Sequence, residues 1–409
     1  YIKSPNFDDK NQIILLSREK GYKSDGIALP ASFSLPVDRE KVLANNTVAI
    51  KDSALIVDEL RWRLKTGEMN QVLKAYIVMM DILAHNNWER PIYYASTTGP
   101  DAYFGLEEYF QLEGLAYRLV PIKTRNRGGY EMGRINSDVL YENLMNVFDD
   151  HSRTDRINNP DAPKKEPYPY AWGGLNDPRV YNCEDNIRLT PLIRNTYIRL
   201  ANTLTAEGEI EKAEAVLDRG NVVLPNQTIP YVSTYKSDYA LWCLNYVQQY
   251  FKLRTPSGEE KGMGMIKDML QSFKENFEWY EKQSNRTITI HSDNIISDFY
   301  VIGQILNQLN SKQIKKIQNE LKAIRINSTA DIAINTLDKR LSVGITRIQE
   351  DQQNVVRSFQ ELRNLLDFAQ LSGNDQAAEK ALAIIENHLK TIEGLSPQLG
   401  AAFRDFVFK

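Results

Sequence analysis

Residues 194–225 read RNTYIRLANTLTAEGEIEKAEAVLDRGNVVLP, and their pattern indicates how the second half of the chain folds. Its small and proline positions are spaced by 12, 7 and 5 residues, as in a tetratricopeptide repeat: Ala201, Ala213, Gly220 and Pro225. Two antiparallel helices approach closely only where side chains are small, and a proline ends the second helix. Gly208 supplies the turn. The stretch therefore predicts a helical hairpin.

One such repeat cannot bury its own faces, so neighbouring helices are expected after it. Residues 235–253 and 263–282 are expected to form a degenerate second repeat, with a loop at Pro256-Ser-Gly258 between them. Further helices are predicted at 292–310, 312–326, 330–371 and 376–392. The chain after residue 186 is therefore predicted to form a helical array that ends in a helical hairpin.

The predicted helix 330–371 carries an apolar residue at every seventh position: Ile334, Leu341, Ile348, Val355, Leu362 and Ala369. A stripe of this kind packs against another helix. Antiparallel packing on the final helix, 376–392, is the plain interpretation. Formation of an oligomer through residues 334–369 is the alternative.

The first 155 residues alternate strand-like and helix-like runs. Strands are predicted at 12–17, 91–96 and 116–121, and helices at 69–86, 104–113 and 136–148. This order is typical of an α/β unit with neighbouring parallel strands. The expected fold class is α-rich α+β: a small N-terminal α/β module, a tetratricopeptide-like helical array and a C-terminal helical hairpin.

Five of the 16 prolines fall between residues 158 and 178, so regular structure is not expected there. The main domain boundary is placed in this stretch. The predicted domains are an α/β module at 1–155, a connector at 156–185, helical repeats at 186–285 and a C-terminal bundle at 286–409.

Composition excludes several classes of function. The formal net charge of -3 gives no basic surface for nucleic acid. No stretch is long and apolar enough to span a membrane, so we expect this chain itself to be water-soluble. The four histidines are scattered, and there is no P-loop, GxGxxG or GxSxG motif. We therefore predict no metal, no cofactor and no catalytic residue.

Cys183 and Cys243 are too few for a disulfide framework. Two free, buried thiols are the favoured interpretation, and one disulfide between them is the alternative. The carboxylates of Glu107, Glu108 and Glu113 could perform acid–base chemistry if burial shifted the pKa of one of them. A charged outer helix face with a capping contact is the favoured interpretation.

Aromatic side chains are the candidate ligand-binding residues. The proline-rich stretch carries Tyr168, Tyr170 and Trp172, and aromatic faces of this kind can bind sugar rings or peptides. Tyr197 and Tyr235 are further candidates on the helices, where a groove or hairpin position would expose them. The competing interpretation is structural: the loop aromatics anchor the loop, and the helical tyrosines belong to the core.

Two phrases, NWERPIYYAS at 87–96 and GLEEYFQLEGLAYRLVP at 105–121, carry a family resemblance. They resemble the extracytoplasmic C-terminal region of a bacterial family of multi-pass membrane proteins of unknown function. That family is similar to transmembrane protein O-mannosyltransferases with the GT-C membrane fold, and its members often carry tetratricopeptide-like helices. The resemblance spans about residues 25–225.

The resemblance implies that the catalytic acid lies in the membrane domain, outside this chain. The leading hypothesis is a non-catalytic domain on the periplasmic side of the inner membrane, anchored by a membrane domain of the same protein. It would bind an acceptor protein, a glycan or a partner. A free-standing tetratricopeptide scaffold for protein–protein interaction is the alternative. A carbohydrate-active enzyme would require a cleft with two facing carboxylates.

Overall fold

The computed structural model describes residues 14–15, 28–29, 32–63, 74–103, 105–125, 131–145, 174–232 and 237–408. The chain divides into two compact units. Unit 1 comprises residues 1–173 and 195–219, and unit 2 comprises residues 174–194 and 220–409. The strands lie in the first part of the chain and helices fill the rest, which confirms the predicted fold class. The domain bounds predicted from the sequence stay predictions.

Unit 1 contains eight strands among its described residues: β1 Ile14–Leu15, β2 Ala28–Leu29, β3 Ser32–Pro36, β4 Glu59–Arg63, β5 Tyr93–Ala95, β6 Phe110–Leu112, β7 Ala116–Leu119 and β8 Arg134–Ile135. Strands β1 and β2 pair with each other, as do β3 and β4, and the other four form one sheet in the order β5-β7-β6-β8. Both β5 and β6 are antiparallel to β7, whereas β8 is parallel to β6. The predicted parallel arrangement of 91–96 and 116–121 is therefore wrong. The short turn between β6 and β7 suits an antiparallel hairpin.

The predicted helix at 104–113 is also wrong. Residues 107–109 form a single 3₁₀ turn, and the chain then enters β6. Gly105 has φ +82°, and a Cβ atom there would lie 2.1 Å from the carbonyl oxygen of Arg63. A left-handed residue pressed against a strand cannot continue a helix. All three residues of β6 are buried, as expected for a strand with neighbours on both sides.

Three helices of the N-terminal region are α1 Arg39–Ala44, α2 Lys74–Asn86 and α3 Ser137–Met145. Helices α2 and α3 fall within the predicted helices 69–86 and 136–148. The core of unit 1 is rich in aromatic rings around Phe110, whose ring centroid lies 4.8 Å from that of Tyr94, 5.4 Å from that of Tyr103 and 5.6 Å from that of Tyr117. These buried rings supply much of the apolar area that holds the sheet.

The predicted hairpin consists of α4 Glu184–Ala206 and α5 Ile210–Val223. Gly208 has φ +84° and forms the turn, and the small residues Ala201, Ala213 and Gly220 are buried. The two helices and their turn are confirmed. Within unit 1, the Arg199 guanidinium donates to the carbonyl oxygens of Met132 and Gly133 at 2.6 Å each.

The helices that lie wholly in unit 2 are α6 Ser237–Lys252, α7 Pro256–Tyr280, α8 Asn285–Ile290, α9 Ser292–Gln308, α10 Ser311–Lys316, α11 Gln318–Ala323, α12 Asn327–Thr346, α13 Ile348–Ser372, α14 Asp375–Leu395 and α15 Pro397–Phe408. The predicted loop at 256–258 is wrong, because Pro256 begins α7. Thr255 caps this helix by accepting a hydrogen bond from the Gly258 backbone N–H. Proline is well tolerated in the first turn, where its missing N–H is not needed.

The predicted helix 330–371 is two helices. It breaks at Arg347, whose φ and ψ are -126° and 33°. The Arg340 guanidinium lies 3.7 Å from the Glu361 carboxylate. In one straight helix these residues would be about 30 Å apart, so α13 runs back along α12.

Five of the six residues of the predicted apolar stripe are buried inside unit 2, each at most 1% exposed: Ile334, Leu341, Val355, Leu362 and Ala369. Ile348, next to the break, is half-buried. Helix α13 packs on α14, which confirms the plain interpretation of the stripe, and also on α9 and α12. Formation of an oligomer through residues 334–369 stays a prediction. Helix α15 was not predicted.

Candidate functional site

The phrase NWERPIYYAS folds as a tight turn followed by β5. Asn87 and Trp88, which follow α2, have left-handed φ values of 45° and 61°. The Trp88 side chain is 7% exposed, and its Nε1 donates to the Pro36 carbonyl oxygen at 3.4 Å. The Asn45 amide donates to the Trp88 carbonyl oxygen. The tryptophan therefore anchors the strand in unit 1, and its ring is not a free platform for a ligand.

A row of polar side chains crosses one face of the four-stranded sheet. Strand register places Tyr93 beside Arg118, Arg118 beside Gln111, and Gln111 beside Arg134. The opposite face carries Tyr94, Tyr117 and Leu112 and faces the ring cluster. Side chains alternate between the two faces of a strand, so one register fixes both sets. We call Tyr93, Gln111, Arg118 and Arg134 the polar row.

Glu113 contacts three members of the polar row and is 6% exposed. Its carboxylate accepts hydrogen bonds from Tyr93 Oη and Gln111 Nε2, both at 2.7 Å. The Arg118 guanidinium lies 3.8 Å away. Three neighbours thus hold this carboxylate in one orientation.

The three glutamates do not share one charged outer face, so that prediction is wrong. Glu107 and Glu113 are 4% and 6% exposed. Glu108 does face solvent, where it forms an ion pair of 3.1 Å with Lys123. The difference follows from the strand and 3₁₀ geometry, which separates side chains that a helix would have placed along one surface.

The far end of the polar row is also paired. Arg134 donates to Asp52 at 2.9 Å, and both side chains are 15% exposed. Two guanidinium groups therefore face two carboxylates, and their formal charges cancel. Arg118 Nε has no hydrogen-bond partner among the described residues. Such a row can orient a ligand by hydrogen bonds at its exposed end, Tyr93, which is 48% exposed.

Only one of the five predicted ligand-binding aromatics belongs to the described residues. Tyr168, Tyr170, Trp172 and Tyr235 lie outside the described residues. Tyr197, on α4, is fully buried. Tyr197 is therefore a core residue, which was the competing interpretation, and does not face a ligand.

A buried arginine in unit 2 was missed by the sequence reasoning. Arg194 is 0% exposed and donates from Nε to Tyr239 Oη at 3.1 Å and from Nη2 to the Leu224 carbonyl at 2.8 Å. Its guanidinium carbon also lies 5.0, 6.0 and 5.8 Å from the ring centroids of Tyr231, Tyr239 and Tyr246. We call these three rings the tyrosine cage. Cation–π attraction compensates part of the loss of hydration.

Two groups close to Arg194 have raised pKa values. Burial raises the pKa of Tyr231 to about 12, although the Arg194 charge acts in the opposite direction. Burial likewise raises the pKa of the Cys243 thiol, again against the effect of Arg194. Both groups are therefore neutral at physiological pH. One signal in the sequence points to this site: Arg194 interrupts a buried stripe of α4 that includes Thr190, Tyr197 and Ala201.

Cys183 and Cys243 are both free. Cys243 is buried, as predicted, but Cys183 is exposed, which corrects the prediction of two buried thiols. Among the described residues, no three His, Cys, Asp or Glu side chains are grouped as a metal site.

The matched part of the chain contains the polar row. Residues 5–139 match the family model of TMEM260-associated domain 2. The match includes all the strands of unit 1 that are described above, both resemblance phrases and the turn at Trp88. No curated protein and no solved structure matches the chain. Among the described helices, none has the length and apolar character that crossing a membrane requires.

Proposed function

We propose that this chain is an accessory domain of a membrane-bound, glycosyltransferase-like protein. The observation that carries the proposal is the match of residues 5–139 to TMEM260-associated domain 2, since TMEM260 is a predicted O-mannosyltransferase. The phrases at 87–96 and 105–121, which lie within the matched segment, agree with it through their resemblance to the extracytoplasmic region of related membrane proteins.

The proposed role is recognition without catalysis. The domain lies on the extracytoplasmic side of the membrane, where it binds an acceptor protein or glycan beside the membrane domain of its own protein. Two features of the described residues support this role. Beside the polar row, the carboxylates of Glu113 and Asp52 are held by arginine, tyrosine and glutamine, and helical arrays offer extended surfaces for binding.

A deletion tests the proposal. The complete natural protein that contains this chain is compared with a version that lacks all 409 residues, in membranes, for transfer of mannose to protein acceptors. We expect membrane insertion to persist and transfer to protein acceptors to fall. Unchanged transfer to every native acceptor would overturn the accessory role. A cut inside the chain is less informative, because unit 1 uses residues 195–219.

The second candidate is a scaffold for protein–protein assembly with no link to glycans. The observation that favours it is the helical hairpin α4–α5 with its glycine turn. The sequence that precedes Tyr1 in the natural protein separates the two proposals. Many apolar spans there favour the accessory domain, and none favours the scaffold.

A further inference from the structure

The turn between α7 and α8 in unit 2 exposes two large apolar side chains. Trp279, in the last turn of α7, is 50% exposed, and Ile290, at the end of α8, is 72% exposed. The ring centroid of Trp279 lies 6.1 Å from that of His291, the residue after Ile290, so the two apolar groups belong to one surface. Exposed apolar groups that lie together mark contact surfaces.

Two cations lie between these apolar groups along the chain. Lys282 and Arg286 are exposed, and neither forms an ion pair with any residue that the structure describes. The Lys282 backbone N–H donates to the Trp279 carbonyl oxygen at 3.2 Å. Arg286 stands four residues before Ile290 in α8 and therefore shares its helix face. We call Trp279, Lys282, Arg286 and Ile290 the α7–α8 patch.

The carboxylates that neighbour the patch in the chain are already engaged. Residues 278–293 contain three of them: Glu278, Glu281 and Asp293. Glu278 pairs with Lys274 at 3.7 Å, and Asp293 pairs with Arg340. Glu281 accepts two backbone hydrogen bonds at the start of α12. The patch therefore carries a local positive charge, although the net charge of the whole chain is -3.

The patch stands on a fixed part of the fold. Phe277, Tyr280 and Ile288 are each at most 2% exposed, so both sides of the turn are anchored in the core. Ser284 caps α8 by accepting a hydrogen bond from the Thr287 backbone N–H at 3.3 Å. Binding through the patch would therefore not have to order the turn first.

This combination of side chains suits the surface of a membrane. Tryptophan rings favour the boundary between lipid headgroups and acyl chains, and aliphatic side chains enter the acyl region. Lysine and arginine attract anionic headgroups. A nucleic acid would require a longer basic stripe. A sugar would require hydrogen-bond acceptors as well as donors, whereas the polar groups of the patch only donate.

We propose that the α7–α8 patch binds an anionic membrane surface. Trp279 and Ile290 enter the headgroup boundary, and Lys282 and Arg286 contact lipid phosphates. The proposal goes beyond the accessory role and does not depend on it, because every contact that carries it lies in unit 2.

The test uses the whole 409-residue chain and vesicles of phosphatidylcholine, alone or with about 30% phosphatidylglycerol. Binding is measured by flotation at low and at physiological salt. We expect the chain to bind the anionic vesicles more tightly than the neutral ones. Added salt should weaken this binding, because it screens the attraction of the two cations.

Two variants remove the two kinds of contact separately. The double variant Lys282→Gln, Arg286→Gln should bind anionic vesicles about thirty-fold more weakly. Ile290→Ser should bind about ten-fold more weakly, because it removes an inserted aliphatic group. All three side chains are exposed, so the fold should persist, and thermal unfolding checks this.

Each variant has a matched control. The double variant Lys312→Gln, Lys315→Gln removes the same charge from exposed positions of α10, about 25 Å away at the other end of α9. Leu395→Ser removes an apolar side chain that is 64% exposed at the end of α14. Both controls should bind vesicles as the parent does.

Quenching by brominated lipids locates the contact. The chain has five tryptophans, and only those that enter the lipid should be quenched. Trp279→Phe keeps an aromatic side chain, so it should keep most of the binding and lose most of the quenching.

Three results would overturn the proposal. The first is no binding to anionic vesicles at lipid concentrations up to about 5 mM. The second is equal binding by the parent and the patch variants, or an equal loss in a patch variant and its control. The third is a dimer in sedimentation velocity that Ile290→Ser abolishes, without vesicle binding, which would assign the patch to a second copy of this chain.

Discussion

Asp298 predicts an unusual pH dependence for the stability of unit 2. It lies in α9 and is 7% exposed. Burial raises the pKa of this carboxyl from 3.8 to about 7, because the charged form is poorly solvated there. In the unfolded chain, the same carboxyl regains its ordinary pKa near 4.

The sign follows from proton linkage. Between about pH 4 and about pH 7 the folded protein keeps the Asp298 proton while the unfolded chain loses it, so the free energy of unfolding decreases as pH rises. The stabilising contribution is complete below the unfolded pKa and is lost as pH passes the folded pKa. The rise of the Asp298 pKa from 3.8 to about 7 corresponds to about 4 kcal/mol of unfolding free energy. This is a large fraction of the stability of a typical domain.

Asp298→Asn keeps the shape of the side chain and removes its titration. Urea unfolding of the parent and the variant is followed by far-UV circular dichroism at several pH values between about 4 and about 8. We expect the stability difference, variant minus parent, to grow in favour of the variant by up to about 4 kcal/mol over this range. Asp331→Asn, at an exposed carboxylate of α12, controls for general charge effects and should show no such growth.

Two results would refute this reasoning. A stability difference that stays constant with pH would mean that Asp298 does not titrate in the folded protein near neutrality. A variant that loses stability relative to the parent at high pH would mean that the buried carboxylate is charged and well paired.

Three further predictions concern glycine, arginine and cysteine positions. Gly105→Ala should destabilise unit 1 by more than about 3 kcal/mol, because it adds a backbone clash to a left-handed φ. Gly208→Ala has a matching φ and open space, and should cost only about 1–2 kcal/mol. Arg194→Met should destabilise unit 2 by about 2–4 kcal/mol in urea unfolding, since two charged hydrogen bonds and the cage contacts outweigh the relief of burial. A maleimide reagent should label Cys183 quickly and Cys243 only after unfolding, as mass spectrometry of peptides would reveal.

Each of these has a clear contrary result. Equal costs for the two glycine variants would remove the backbone clash as a cause. An Arg194→Met variant as stable as the parent would mean that burial of the charge costs as much as its contacts contribute. Rapid labelling of Cys243 in the folded protein would mean that α6 opens readily.

The sequence predicted correctly those helices whose small or apolar residues recur at helical spacing. The hairpin followed from the spacing of Ala201, Ala213 and Gly220, and α2 followed from its apolar face. The loop assigned at Pro256 failed because proline and glycine were taken as breakers. Thr255 before Pro256 is the pattern of a capped helix start, so that signal was present in the sequence.

Other features could not be predicted from a single sequence, because they depend on contacts between distant segments. The seven-residue period runs through the break at Arg347, because both α12 and α13 face the same core, and a period does not record a change of direction. The polar row depends on strand register between Tyr93, Gln111 and Arg118. Register is a long-range property that is fixed only when the strands pair.

The contacts of Arg199 determine how early unit 1 can complete its fold during translation. Residues 195–219 belong to unit 1 although they follow the matched segment 5–139 by more than fifty positions. A ribosome that has translated only the matched segment has not yet supplied the guanidinium that caps the carbonyls of Met132 and Gly133. Unit 1 therefore cannot complete its fold until the chain has emerged to about residue 219, by which point residues 174–194 of unit 2 have already been synthesised.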